Sequence, residues 1–203
     1  MALFRFLKVS RSSVGNFSCC IFFFNSLAVL NACGKKETSQ SPQTTALTGS
    51  WISICTADSS GEKIWNQVKI TFAESSFDSI KSTYTAAGCA ADALDYGDRT
   101  TGTYSVSGEN IDLKSLDMHA LPATDKAVEL FKSICANVTF EKGKETSTKA
   151  CPEIASSLGK TNYSSFKIES NVLTFAVGDS TTDGSTAEKR SKKMMVGGYT
   201  RVQ

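Results

Sequence analysis

Seven cysteines and a single histidine carry most of the reactive chemistry in this 203-residue chain. Cys55, Cys89, Cys135 and Cys151 are separated by 34, 46 and 16 positions. They form no Cys-x-x-Cys pair and have no neighbouring histidine, whereas structural zinc sites draw ligands from close pairs. Their even number points instead to two disulfides in an exported domain. Four cysteines allow three pairings. The favoured set is Cys55–Cys89 with Cys135–Cys151, the second closing a polar stretch and worth about 3 kcal/mol in the chain-entropy account. His119 stands alone in Asp117-Met118-His119-Ala120, a loop-like stretch. No Gly-x-Ser-x-Gly elbow accompanies it, so it reads as a surface histidine. Asp92, Asp95 and Asp98 recur every third residue. That spacing misses the calcium-loop pattern and reads as a solvated loop. Lys189, Arg190, Lys192 and Lys193 read as a solvated hairpin tip, partly neutralised by Asp183 and Glu188. Contact with anionic lipid headgroups is the functional alternative for that cluster. No phosphate loop or dinucleotide fingerprint occurs. The expectation is no metal, no cofactor and no enzyme, because general acid–base catalysis most often uses histidine.

Charge excludes another class of partner. Lys plus Arg is 22 and Asp plus Glu is 20, a net charge of +2. Residues 1–32 contribute Arg5, Lys8 and Arg11 and no acid; subtracting those three leaves 19 basic against 20 acidic residues, a net of about −1. Nothing in that balance calls for nucleic acid.

The same basic, acid-free leader continues into an apolar run over residues 17–30, interrupted by Asn25 and Ser26. The run is short for a membrane span, which needs roughly 20 apolar residues, and suits a secretory signal peptide. It ends in Leu30-Asn31-Ala32-Cys33, which resembles a bacterial lipobox. The resemblance implies cleavage before Cys33 and acylation of its thiol, with palmitate-like chains as the membrane anchor. Gly34 in place of Asp after that cysteine leans towards the outer membrane of a bacterial cell envelope. Residues 34–46 lack aromatic and large aliphatic side chains and read as a flexible tether. The chain therefore divides into a signal peptide (1–32), a lipidated cysteine with its tether (33–46) and one folded domain (47–203).

The elements that must position these residues are mostly strands. Short alternating runs are expected over 51–55, 63–72, 77–85, 102–106, 111–113, 138–141, 163–168, 172–177 and 194–202. In the second run Val68, Ile70 and Phe72 share one face, with Gln67, Lys69 and Thr71 on the other. Turns at Ser107-Gly108-Glu109-Asn110 and Ser170-Asn171 predict two hairpins. Residues 124–135 differ: Ala127, Val128, Leu130, Phe131 and Ile134 recur at helical spacing behind a Thr124 cap and Asp125. That helix is expected to plug one end of the sheet. The pattern predicts an all-β protein, a sandwich or an up-and-down antiparallel barrel of seven to nine strands with one short helix.

The two ends of the domain narrow that choice. Gly49-Ser50-Trp51 opens the first strand and Arg201 lies on the last. A Gly-x-Trp paired with a terminal Arg resembles the lipocalin-like (calycin) pattern. The resemblance implies that Trp51 closes the barrel base with Arg201 across its indole, a cation–π contact worth about 0.5–2 kcal/mol. A helix in mid-chain, rather than after the barrel, departs from that pattern. The functional expectation is a lipid-anchored envelope protein whose barrel binds a hydrophobic small molecule. The rival is a filled barrel acting as a protein-binding or protease-inhibitor module through its loops, with residues 114–121 and 135–151 as candidate surfaces.

Overall fold

The computed structural model describes residues 46–58 and 63–203. The proposed signal peptide, Cys33 and the tether up to residue 45 lie outside the described residues. The domain is built from β1 (Gly49–Ser53), β2 (Thr56–Ala57), β3 (Trp65–Ala73), β4 (Ser76–Tyr84), β5 (Leu94–Ser107), β6 (Asn110–Pro122), α1 (Asp125–Ile134), β7 (Thr146–Ser147), α2 (Pro152–Ala155), β8 (Thr161–Glu169), β9 (Val172–Val177), β10 (Lys193–Met194) and β11 (Tyr199–Arg201).

Eight of these strands close an antiparallel barrel in the order β1-β3-β4-β5-β6-β8-β9-β11, with β1 pairing both β3 and β11. Each wall strand neighbours its predecessor, so the barrel is an up-and-down meander with no open edge between first and last strands. β2 adds to β3, β7 to β6 and β10 to β9.

The two ends of the barrel differ. At the base, hairpins turn tightly at Glu74-Ser75, Gly108-Glu109 and Ser170-Asn171. Gly108 and both Ser170 and Asn171 have positive φ, as hairpin turns that match the strand twist require. The described connections at the mouth are residues 54–58 with 63–64, 85–93, 123–160 and 178–198. The Cys55–Cys89 disulfide ties the first two of these together, and Cys135–Cys151 closes part of the third.

The strand register decides which side chains face the lumen. Phe72 pairs with Phe77, Val68 with Lys81, Lys81 with Asp98 and Asp98 with Ala120. A bulge at Leu116 preserves the inward set on β6 both below and above it. The lower lumen is filled: Trp51, Phe72, Ile111 and Leu173 are fully or almost fully buried, packed with Ile70, Phe77, Tyr104 and Phe166. Phe72 meets Tyr104 edge-on at 4.9 Å. Burying each large apolar side chain contributes about 1.5–3 kcal/mol, so this layer supplies much of the fold's cohesion.

Helix α1 covers the other end on the β5–β6 side. Thr124 caps it, its Oγ1 accepting from Ala127 N at 3.1 Å and donating to Asp95. Ala127, Val128 and Phe131 form its buried face. Phe131 lies edge-on to Tyr96 at 5.4 Å and beside Phe140 at 5.4 Å. The helix thus packs on its own barrel, as its amphipathic spacing predicts.

Three expectations are corrected. Strand β5 begins at Leu94, not residue 102, and places Asp95 and Asp98 in the wall instead of a solvated loop. The segment 114–121 is strand β6, not a loop. Residues 138–141 form no strand; the segment returning to the free edge of β6 is β7, pairing Thr146 and Ser147 with Ala120 and His119. The physical reason is shared: β6 rises above its partner β8, whose pairing stops at Lys114↔Thr161. The exposed edge beyond is covered by the insertion, through Gly159 N to Ser115 O, Thr148 N to Met118 O and Gly143 N to Pro122 O.

Candidate functional site: the upper lumen

The base of the barrel is built around Trp51. Its Nε1 donates to Leu47 O at 2.8 Å, and Arg201 Cζ lies 4.3 Å from the ring centroid. Arg201 also donates to Thr48 O at 2.7 Å and to Ala46 O. Gly49, at φ +117°, lies where a Cβ would stand 3.0 Å from Arg201 Nη1. Strand entry and chain end are therefore sewn together at the sealed end. This is a structural closure.

The four domain cysteines pair as Cys55–Cys89 and Cys135–Cys151. They staple the mouth loops, and their thiols are consumed. Among the described residues no cluster of His, Cys, Asp and Glu is arranged to hold a metal ion.

His119 faces outward on β6. Its Nε2 is 3.2 Å from Asp117 and its Nδ1 3.0 Å from Glu145. Glu145 also meets Arg99 at 3.2 Å, Arg99 clasps Asp78 through Nε and Nη2, and Lys149 meets Asp117 at 2.9 Å. Burial pushes the Asp117 carboxyl up, but Lys149 and His119 together hold it below the ordinary value. These half-exposed pairs stitch β4, β5, β6 and the insertion together, at about 0–1 kcal/mol each. Beside them, next to the Leu116 bulge, a shallow open depression of about 380 Å³ runs along the outer wall between Thr71, Asp78, Thr101 and Thr103.

The basic cluster also differs from the expected hairpin tip. Arg190 is folded onto the wall, its Nη1 donating to Ser164 O at 2.8 Å and Ile111 O at 3.1 Å and lying 2.7 Å from Asp112. Its guanidinium also covers the Tyr163 ring at 5.5 Å. Lys189, Lys192 and Lys193 remain exposed.

Inside the barrel a different arrangement appears. Three layers stack along the β3–β6 wall. The floor is the buried aromatic layer described above. The top layer is also buried: Thr83, Tyr96 and Pro122, beneath α1, with the buried Ala120 on the rung below. Between them, Val68, Ser79, Lys81, Asp98, Thr100 and Met118 face inward and retain solvent-accessible surface. The inward-facing side chains thus include a part-buried layer between two buried ones.

Two charged residues share one rung of that layer, Lys81 and Asp98, directly paired across β4 and β5. Neither side chain forms a hydrogen bond or an ion pair with any described residue. Burial pushes the Asp98 carboxyl up to about 6, with Lys81 pulling the other way. Burial likewise raises the Tyr96 and Tyr199 hydroxyls. Above the pair, Thr83 Oγ1 donates to Asn66 Oδ1 at 3.0 Å. Sequence reading passed over Lys81 and placed Asp98 in a solvated loop. The signal was the inward phase Phe77-x-Ser79-x-Lys81-x-Thr83, and its match Tyr96-x-Asp98-x-Thr100, in which charges occupy core-facing positions.

Comparison with known proteins adds no family: no protein-family model and no curated protein matches the chain.

Proposed function

We propose that this protein is a lipid-anchored cell-envelope binding protein, lipocalin-like in plan, which takes a small molecule in the upper lumen of its barrel. The observation that carries the binding reading is the accessible layer between a filled floor and a helix-covered top. The filled lower half makes the ligand short, because a long alkyl chain has no channel below Phe72 and Tyr104. The lumen is the natural pocket in such a barrel. The lipobox-like Leu30-Asn31-Ala32-Cys33 supports the anchor, and the Trp51–Arg201 closure supports the lipocalin-like plan.

Two experiments test the proposal. Native mass spectrometry of the exported Cys33→Ser chain should show a small bound molecule or an added one retained; a bare mass after titration with polar and apolar probes would refute the lumen reading. The Cys33→Ser change should abolish labelling by a fatty-acid analogue and release the protein from membranes, and continued labelling would refute the anchor.

A second reading rests on the mouth. Four connections lie at one end and two disulfides restrain three of them, the design of a loop-presenting inhibitor or protein-binding module. The segment 135–151 is then the contact surface. Retention of a defined protein partner that is lost on substituting its exposed residues would favour this reading over the first.

A further inference from the structure

Resting on the lumen reading, we infer that Lys81 and Asp98 form a two-point site for a small zwitterion, whose ammonium meets Asp98 and whose carboxylate meets Lys81. The argument begins from cost. A carboxylate and an ammonium turned into a barrel lose hydration, and such groups are normally paired or hydrogen-bonded. Here they occupy one rung, face the same space and engage no described residue directly. A ligand with one charge would satisfy one group and be repelled by the other. A zwitterion offers a donor to Asp98 and acceptors to Lys81 at once, and charge-assisted contacts are the strong ones. The neighbouring inward side chains, Val68 and Met118, present apolar surface to the rest of the ligand. This fits an apolar amino acid better than a fatty acid.

The charge state of the acid follows the same geometry. Charged groups facing Asp98 are few. Lys81 comes from β4, Tyr96 lies on its own strand, Ala120 and Met118 on β6 are neutral, and the packed face of α1 is Ala127, Val128 and Phe131. Because the carboxyl titrates near 6, it is ionised at pH 7.5 and mostly protonated at pH 5. Affinity for the ammonium should therefore fall by about tenfold between those values.

The test is isothermal titration calorimetry of the exported Cys33→Ser chain with leucine, phenylalanine and 6-aminohexanoate, against hexanoate and hexylamine as single-charge comparators. At least one zwitterion should bind tenfold or more tightly than either comparator. Asp98→Asn and Lys81→Met should each weaken it at least tenfold, and Asp98→Asn should abolish the pH dependence. Near-ultraviolet circular dichroism checks that both variants are folded. Hexanoate or hexylamine bound as tightly, or a zwitterion bound equally well by either variant, would overturn the inference and leave the lumen reading standing. Failure of every probe, including an uncharged hydrophobic dye, on folded protein would overturn both.

Discussion

Asp98 sets a measurable link between the lumen and stability. Its carboxyl is displaced from an ordinary value of 3.8 to about 6 by burial. A raised carboxyl pKa means that the folded state holds the proton more tightly than the unfolded chain. Between pH 4 and 6 folding therefore takes up a proton, and stability falls as pH rises through that window. Above it, the ionised carboxylate costs the fold up to about 3 kcal/mol, taking about 1.4 kcal/mol for each tenfold change in proton affinity. Asp98→Asn keeps the shape and removes the charge. The variant should gain about 1–3 kcal/mol over the parent at pH 7.5, and that gain should vanish near pH 4. Urea unfolding followed by circular dichroism at pH 4, 5, 6 and 7.5 reads the difference directly, and the other carboxylates cancel because they are common to both proteins. A variant no more stable than the parent at pH 7.5, or a difference that does not change with pH, would refute the reasoning. Asp98 would then be solvated well enough to bear its charge at no cost, and the argument that it awaits a partner would fail with it.

Three further predictions concern the scaffold. Arg201→Met removes two hydrogen bonds to the chain entry and the cation–π contact with Trp51, and should cost about 1–3 kcal/mol in chemical denaturation. Replacing Cys135 and Cys151 together by Ala opens a loop of 16-residue separation and should cost about 3 kcal/mol, while unreduced parent protein should weigh four hydrogens less than its reduced form by mass spectrometry. Gly102→Ala should destabilise by about 2 kcal/mol or more, since its Cβ would stand 2.1 Å from Lys114 O and 2.7 Å from the Phe77 ring, forcing β5 and β6 apart; a thermal midpoint unchanged from the parent would contradict this close approach.

Much of the barrel was legible from local pattern. Alternation in β3, the turn residues at Gly108 and Ser170-Asn171, and the capped amphipathic run after Thr124 each carry their structure in a few neighbouring residues. The stretch over residues 94–101 did not, because Asp95, Gly97, Asp98 and Arg99 suppress the apolar alternation that marks a strand. Those residues are strand because β4 and β6 flank them on both sides and α1 covers Asp95. Residues 114–121 were obscured likewise by Lys114, Asp117 and His119. Asp117 and His119 serve an outer ion-pair network, and the edge is completed by the remote segment around Thr146.

The sequence by itself determined the local chemistry: a β-rich domain, four cysteines within it, a Trp and an Arg at its two ends, and a basic, acid-free, apolar stretch before Cys33. These depend on residue type and short spacing, which the chain carries without folding. Only the tertiary structure decided which cysteines meet, that Arg190 clamps β6 to β8 instead of pointing to solvent, and that Lys81 and Asp98 share a rung inside the barrel. The reason is register. A one-residue slip turns every side chain of a strand to the other face, so whether a charge is inside or outside is settled by long-range pairing and by barrel closure.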